Sequence, residues 1–273
     1  MYFDLENNKY VEYKDSKSLK FLYNTLFGRS VLKIITNKRI ANIYAKYMNS
    51  SFSKYKMKRF IKKNNINIDE YIKKEYKSFN DFFIRRIKPN KRSISDGLIA
   101  VCDSKLSVYD IDKDSKFYIK NSIYTTEELI QKKCNYKYAL VFRLCVDDYH
   151  HYIFPDDGEV VENKHIEGIL HTVRPIAFKK YRVFTENDRE VTFLKCSNLG
   201  NVCYVEVGAM FIGKIVNDDI KRFKKGDEKG HFEFGGSTVI LLLEKDVKID
   251  KRIIENSKKG IETIVKMGQK IGE

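Results

Sequence analysis

The 273-residue sequence is short of the features that would take it out of the globular class. It has 3 prolines and 14 glycines, and no tract of biased composition or fixed-period repeat runs through it. Cysteine is sparse and odd in number: Cys102, Cys134, Cys145, Cys196 and Cys203 include no C-x-x-C pair. Neither a disulfide framework nor a zinc ribbon is expected, no other metal ligand set stands out, and reduced thiols in a cytosol fit best. Long apolar runs are missing too, since stretches such as Val239–Leu243 fall far short of a span. The polar start, MYFDLENNKY, lacks the pattern of an export signal, so a chain that is neither exported nor transmembrane is expected. What is present, 42% hydrophobic and 13% aromatic residues, suffices for one large core or a core domain with an appendage.

The net charge of +15 is unevenly placed. Residues 1–92 hold 23 Lys and Arg against 8 Asp and Glu, whereas residues 93–273 hold 29 of each. A merely Lys-rich composition would spread its charge evenly; this asymmetry points to a surface for an anionic partner.

From Ser18 to Tyr47 apolar residues recur at three- and four-residue spacings among Lys and Arg, which predicts helix with a break near Gly28. Ser78 and Asp81 ahead of Phe82 and Phe83 resemble a capped helix start that ends before Pro89. Beyond residue 97 the pattern changes to short runs rich in β-branched and aromatic residues: Leu98–Cys102, Leu106–Ile111, Tyr138–Cys145, Glu159–Val173, Val191–Cys196, Val202–Ile215 and Thr238–Glu244. A last helix is expected over Lys251–Ile271 despite Gly260. The fold class is therefore α+β: a basic helical region, 1–92, leaning on a mainly antiparallel β domain, 93–273.

The segment Lys225–Glu244 carries the most chemistry. Ser237 follows Gly235 and Gly236 and precedes an apolar strand, so its hydroxyl sits where the preceding backbone is free to take conformations closed to other residues. On its own, Gly-Gly-Ser is an ordinary turn. The longer segment, however, resembles K-G-x-E-x-G-x-F-x-x-G-S-T followed by a hydrophobic strand, the C-terminal signature of phosphatidylserine decarboxylases. Four further segments resemble that family in order: Ser78–Pro89; Val141-Phe-Arg-Leu with Asp148-Tyr-His-His-Tyr-Ile-Phe-Pro155; Thr172-Val-Arg-Pro-Ile-Ala177; and Val205–Gly213. Together they span roughly residues 78–245.

The resemblance implies a self-cleaving proenzyme. The Ser237 hydroxyl would attack the Gly236 carbonyl, giving an ester by N-to-O acyl shift; β-elimination and hydrolysis would then leave a pyruvoyl group at residue 237 as the covalent cofactor. Residues 1–236 would become a large chain and 237–273 a small one. The substrate implied is phosphatidylserine in an anionic membrane surface, the product phosphatidylethanolamine, and the location the cytoplasmic face of the cell membrane, peripherally held. A homodimer is compatible with this; nucleic acid is not among the expected partners.

An unassisted hydroxyl is a poor nucleophile, so a base is needed near Ser237. Five histidines are available: His150, His151, His165, His171 and His231. His150 matches the histidine of the family's D-Y-H and is the first candidate. Members of the family often carry a second histidine three positions later, the one usually assigned to self-cleavage, and here that position is Ile153. His171 is therefore expected to serve cleavage and His150 to protonate the substrate's α-carbon. Asp103 stands where the family has the aspartate of P-A-D-G, without the flanking Pro and Gly, and is expected to orient a histidine. Two rival readings come from other classes. A serine hydrolase without self-cleavage is weakened by the lack of a G-x-S-x-G elbow. A nucleic-acid-binding protein would use the basic N-terminal region and leave residues 97–245 unexplained.

Overall fold

Seventeen strands and eight helices follow from this sequence in the computed structural model, which describes residues 1–12, 17–73, 75–119, 122–210, 214–235 and 237–273. The strands are β1 (Tyr2–Asp4), β2 (Lys9–Val11), β3 (Leu98–Ile99), β4 (Ser104–Asp110), β5 (Lys116–Ile119), β6 (Ser122–Thr125), β7 (Tyr138–Leu144), β8 (His151–Ile153), β9 (Gly158–Ile166), β10 (Arg189–Cys196), β11 (Gly200–Val207), β12 (Ile215–Asn217), β13 (Arg222–Phe223), β14 (Glu228–Phe232), β15 (Ser237–Leu243), β16 (Glu262–Val265) and β17 (Lys270–Gly272). The helices are α1 (Lys17–Asn24), α2 (Leu26–Ile35), α3 (Lys38–Asn49), α4 (Tyr55–Asn64), α5 (Phe79–Phe83), α6 (Thr126–Ile130), α7 (Val183–Glu186) and α8 (Lys251–Lys258).

One ten-stranded sheet, ordered β13-β9-β10-β11-β15-β7-β4-β16-β1-β2, organises the molecule. Its pairs are antiparallel except for β1 against β16. The expected α+β class with a mainly antiparallel sheet is what forms. Every residue of β15 is buried, because this strand lies mid-sheet with cores on both faces, and its apolar run is accordingly unbroken. Val239, Leu241 and Leu243 enter the first core, with Leu140, Phe142 and Leu144 of β7. Ile240 and Leu242 enter the second, with Ala139 and Val141.

A smaller sheet, β12-β14-β8, lies over the first face, contributing Tyr152, Ile153 and Phe232 to that core. It is pinned to the large sheet by a buried ion pair, Lys229 Nζ to Glu206 Oε1 at 2.5 Å, with Asn217 Oδ1 accepting from the same ammonium at 3.0 Å. Burial raises the Glu206 carboxyl despite Lys229, which shows how little water reaches the pair.

Three expectations need correction. The helical stretch breaks at Thr25 and Asn37, whose side chains cap α2 and α3, and not at Gly28. Gly28 lies inside α2 because a Cβ there would come 2.3 Å from the Phe21 carbonyl oxygen of α1. The last helix is α8 alone: the chain turns at Gly260 with φ 70°, and the apolar residues beyond it form β16 and β17. Finally, the N-terminal region is not all helix, since β1 and β2 extend the large sheet at its edge.

Candidate active site

Ser237 is the first residue of β15 and is fully buried. It pairs across the ladder with Leu144, a first-core residue, and directly opposed residues share a face, so the serine is directed to the side covered by the small sheet. Its Oγ has no hydrogen-bond partner among the described residues. A buried hydroxyl left this way costs about 1–3 kcal/mol; eight other buried side-chain atoms, the adjacent Thr238 Oγ1 among them, are in the same condition among the described residues. Gly235, two residues earlier, has φ 149°, a conformation open to glycine. Gly236, the expected donor of the attacked carbonyl, and the 211–213 part of the Val205–Gly213 motif lie outside the described residues.

His150 immediately precedes β8, and its carbonyl accepts from Phe232 N at 2.9 Å, which seats it in the small sheet over the same face. Its Nδ1 lies 2.9 Å from the Asp148 carbonyl oxygen. A carbonyl only accepts, so Nδ1 carries the hydrogen and Nε2 presents a lone pair. Nε2 is the second fully buried atom here with no partner among the described residues. Burial pushes the ring down to about 3, against the opposing pull of Asp148, so the imidazole is neutral at physiological pH. Asp148 is itself fixed, its carboxylate accepting from Cys145 N at 2.7 Å and from Lys105 Nζ at 2.8 and 2.7 Å.

The Ser78–Pro89 motif, read from sequence only as a capped helix, supplies the wall of this site. Ser78 Oγ accepts from Asp81 N, as the cap predicts. The Phe83 ring lies 4.1 Å from that of His150, and both Phe83 and Phe79 meet the ring of Phe234, at 5.1 and 5.0 Å. Asn80 Oδ1 accepts from Phe234 N at 2.9 Å, three residues ahead of Ser237. Helix α5 therefore grips the segment that leads into Ser237. We expect Asn80→Ala to leave that amide without its acceptor, a loss of about 1–3 kcal/mol, and to slow chain cleavage several-fold in a gel time course. An unchanged rate would show that the ring contacts alone hold Phe234.

The structure brings Ser237 and His150 to one face but places the other two expected residues elsewhere. Asp103 is buried, and its carboxylate accepts from Arg92 at 3.3 and 2.9 Å, from Lys266 Nζ at 3.1 Å and from Met267 N at 2.8 Å. Burial alone would raise this carboxyl, yet Lys266 and Arg92 outweigh it and hold it below the usual range. No hydrogen bond from Asp103 reaches a histidine among the described residues; the group that orients His150 is the Asp148 carbonyl. His171 packs in the second core's surroundings, its ring stacked on Tyr181 at 3.9 Å and its Nδ1 3.5 Å from the Tyr23 hydroxyl. That is the opposite face of the sheet from Ser237, whose ladder partner Leu144 is a first-core residue. Sequence reasoning passed over Asn80, Phe83, Asp148 and Phe234. Their signal lay inside motifs already noted, as neighbours of residues with more obvious chemistry.

The chain is similar to known proteins along nearly its whole length. The family model for phosphatidylserine decarboxylase matches residues 79–273, extending the resemblance to the end of the chain. Phosphatidylserine decarboxylase proenzyme 2 of Clostridium acetobutylicum is 51% identical, over 99% of this chain and 96% of that protein. The phosphatidylserine decarboxylase proenzyme of Clostridium tetani is 41% identical over 94% of this chain and 92% of its own length, and that of Desulfitobacterium hafniense 36% over 99% and 97%. With a family model matched over most of its length and relatives up to 51% identical, the chain belongs to the phosphatidylserine decarboxylase family.

Proposed function

We propose that the chain is a proenzyme that cleaves itself between Gly236 and Ser237 and then decarboxylates phosphatidylserine to phosphatidylethanolamine. The observation that carries this reading is that two of the nine buried side-chain atoms without a partner among the described residues, Ser237 Oγ and His150 Nε2, belong to the matched motifs and lie toward one face of the sheet. Release of carbon dioxide from phosphatidylserine by the purified protein, with phosphatidylethanolamine as the lipid product, tests it; a protein that leaves the lipid intact would overturn it.

Cleavage asks only for what these residues offer. His150 Nε2 takes the proton of the Ser237 hydroxyl as the oxygen attacks the Gly236 carbonyl. A ring held near pKa 3 is a weak base. The attack is intramolecular, however, and enforced proximity contributes roughly 7–11 kcal/mol, so a weak base suffices. Helix α5 restrains the preceding segment through Asn80 and Phe83, while Asp148 keeps the histidine in the needed tautomer. The residues fit a pyruvoyl group at position 237, since the hydroxyl it derives from is buried, unpaired and preceded by glycine. Such a group would supply an electron-withdrawing carbonyl for the electrons released as the carboxylate leaves. His150 Nε2, unprotonated at rest, would take up a proton shed by the substrate's ammonium group, its proton affinity raised by the negative charge developing beside it, and pass that proton to the substrate's α-carbon as the carboxylate leaves. Asp103 is a positioning residue in this scheme: with Arg92 it anchors Lys266, whose ammonium also feels Asp148. His171 supports the fold around Tyr23 and Tyr181.

Within residues 1–92 the helices α2, α3 and α4 form the surface that meets the membrane, while α5 joins residues 93–273 in walling the site. Leu26 and Phe27 of α2, Ile43 of α3, and Phe52 and Tyr55 around the start of α4 are 78%, 70%, 65%, 79% and 72% exposed, amid lysines and arginines. Apolar side chains interleaved with basic ones suit a peripheral attachment to anionic lipid, on the cytoplasmic face of the membrane. Among the described residues no helix is long and apolar enough to cross a membrane. Each basic group near a charged surface contributes about 1 kcal/mol. Changing Lys56, Lys58, Arg59, Lys62 and Lys63 of α4 to glutamine should therefore weaken binding to phosphatidylserine vesicles by orders of magnitude at low salt. Unchanged sedimentation with vesicles would show this helix to be a solvated face and nothing more.

A further inference from the structure

We propose that His151, Glu228 and His231 form a binding site for a divalent transition metal, zinc above others, that clips β8 to β14 beside His150. Each residue offers one ligand atom, and the three atoms lie within 4.8 Å of one another. Two imidazoles and a carboxylate are a borderline-soft donor set suited to zinc, with a fourth position left for water. Ligand atoms in a tetrahedral zinc shell stand about 3.3 Å apart, so the three side chains need only small rotations to close on an ion.

The backbone is built to bring them together. His151 and His231 are directly opposed across the β8–β14 ladder, and their rings lie 5.0 Å apart. Glu228 and His231 are three residues apart on one strand, and in a regular strand such residues point to opposite faces. A register shift between Glu228 and Gly230 changes the phase, so both side chains emerge on the same side while Lys229 turns inward to Glu206. His151 is also held from behind. Its Nε2 lies 3.1 Å from the Ile84 carbonyl at the end of α5, and its Nδ1 lies 2.9 Å from Glu228 Oε1. An outer hydrogen bond of this kind from one ring nitrogen to a backbone carbonyl orients a histidine to ligate through the other. The Arg86 guanidinium, 3.1 Å from Glu228 Oε1, is exposed and free to swing away when a cation takes its place.

A metal here would tie α5, β8 and β14 into one unit at the place where His150 joins the small sheet. No part of this depends on the decarboxylase reading. The test is calorimetric titration of the full-length, tag-free chain, stripped with EDTA, with zinc chloride and separately with cobalt chloride. Thermal unfolding is followed with and without the ion. One saturable equivalent and a raised melting temperature are expected. His231→Gln and Glu228→Gln should each weaken binding by roughly tenfold to a hundredfold or more, while His165→Gln, which alters an exposed histidine between Asp188 and Glu190, should not. Without metal, His231→Gln should melt with the stripped parent; if it fails to fold, Glu228→Gln decides. Absence of saturable binding, equal binding by Glu228→Gln and the parent, or loss confined to His165→Gln would each overturn the proposal.

Discussion

Ser237→Ala is expected to leave the protein as a single chain of 32.2 kDa with no decarboxylase activity above background. The effect should be complete rather than graded. Alanine has no oxygen to attack the Gly236 carbonyl, so the peptide bond stays intact and no carbonyl group is generated at position 237. Folding should be little affected, because the serine hydroxyl makes no hydrogen bond among the described residues and its removal relieves a buried, unpaired polar atom. The melting temperature of the variant should therefore equal or exceed that of the uncleaved parent. An intact Ser237→Ala chain that still decarboxylates phosphatidylserine at the parental rate would end the mechanism proposed here.

His150→Ala and His171→Ala should separate cleanly. Loss of a positioned base typically costs about 10²–10⁴-fold in rate, so His150→Ala should accumulate precursor over hours and show little turnover in whatever fraction is cleaved. His171→Ala removes a ring stacked on Tyr181 and a contact with Tyr23, on the other face of the sheet from Ser237. It should mature at close to the parental rate but melt earlier, by an amount reflecting about 1–3 kcal/mol. The reverse pattern, with His171→Ala blocked and His150→Ala maturing normally, would move the base to the second face. The pH dependence follows from the same burial. His150 is neutral in the folded chain down to about 3, whereas unfolded it titrates near 6.5, so the unfolded state binds the extra proton between these values. Its contribution to stability is complete above 6.5 and is lost as the pH falls toward 3. At neutral pH the lone pair is always available, and maturation should not decline between pH 8 and 7 through protonation of this ring.

Much of this was legible in the sequence, for definite reasons. β15 announced itself as an unbroken apolar run because both its faces are buried, and the glycines before Ser237 marked the place where the chain enters it. His150 was legible from Asp148-Tyr-His. The contact of its ring with the Asp148 carbonyl was not legible, because a backbone carbonyl leaves no signature in residue identity, while Asp103 offers a conspicuous carboxylate whose hydrogen bonds go to Arg92, Lys266 and Met267. The face that His171 occupies was not legible either, because sequence separation says nothing about which side of a sheet a ring will take; the register Ser237–Leu144 puts Ser237 on the other side. The break near Gly28 was misplaced because glycine there serves close packing of two helices, and periodicity cannot distinguish that use from a helix end. The histidine and glutamate cluster on β8 and β14 was invisible for a similar reason, since a bulge must change the phase of β14 before Glu228 and His231 share a face.

Intact-mass spectrometry of the purified protein under denaturing conditions tests the central claim most directly. Two chains are expected, 1–236 and a small chain of 37 residues beginning at position 237, the latter lighter by one ammonia than the plain peptide 237–273 because its first residue is a pyruvoyl group. A single species of 32.2 kDa, or a small chain that starts with an ordinary amino-terminal serine, would contradict it.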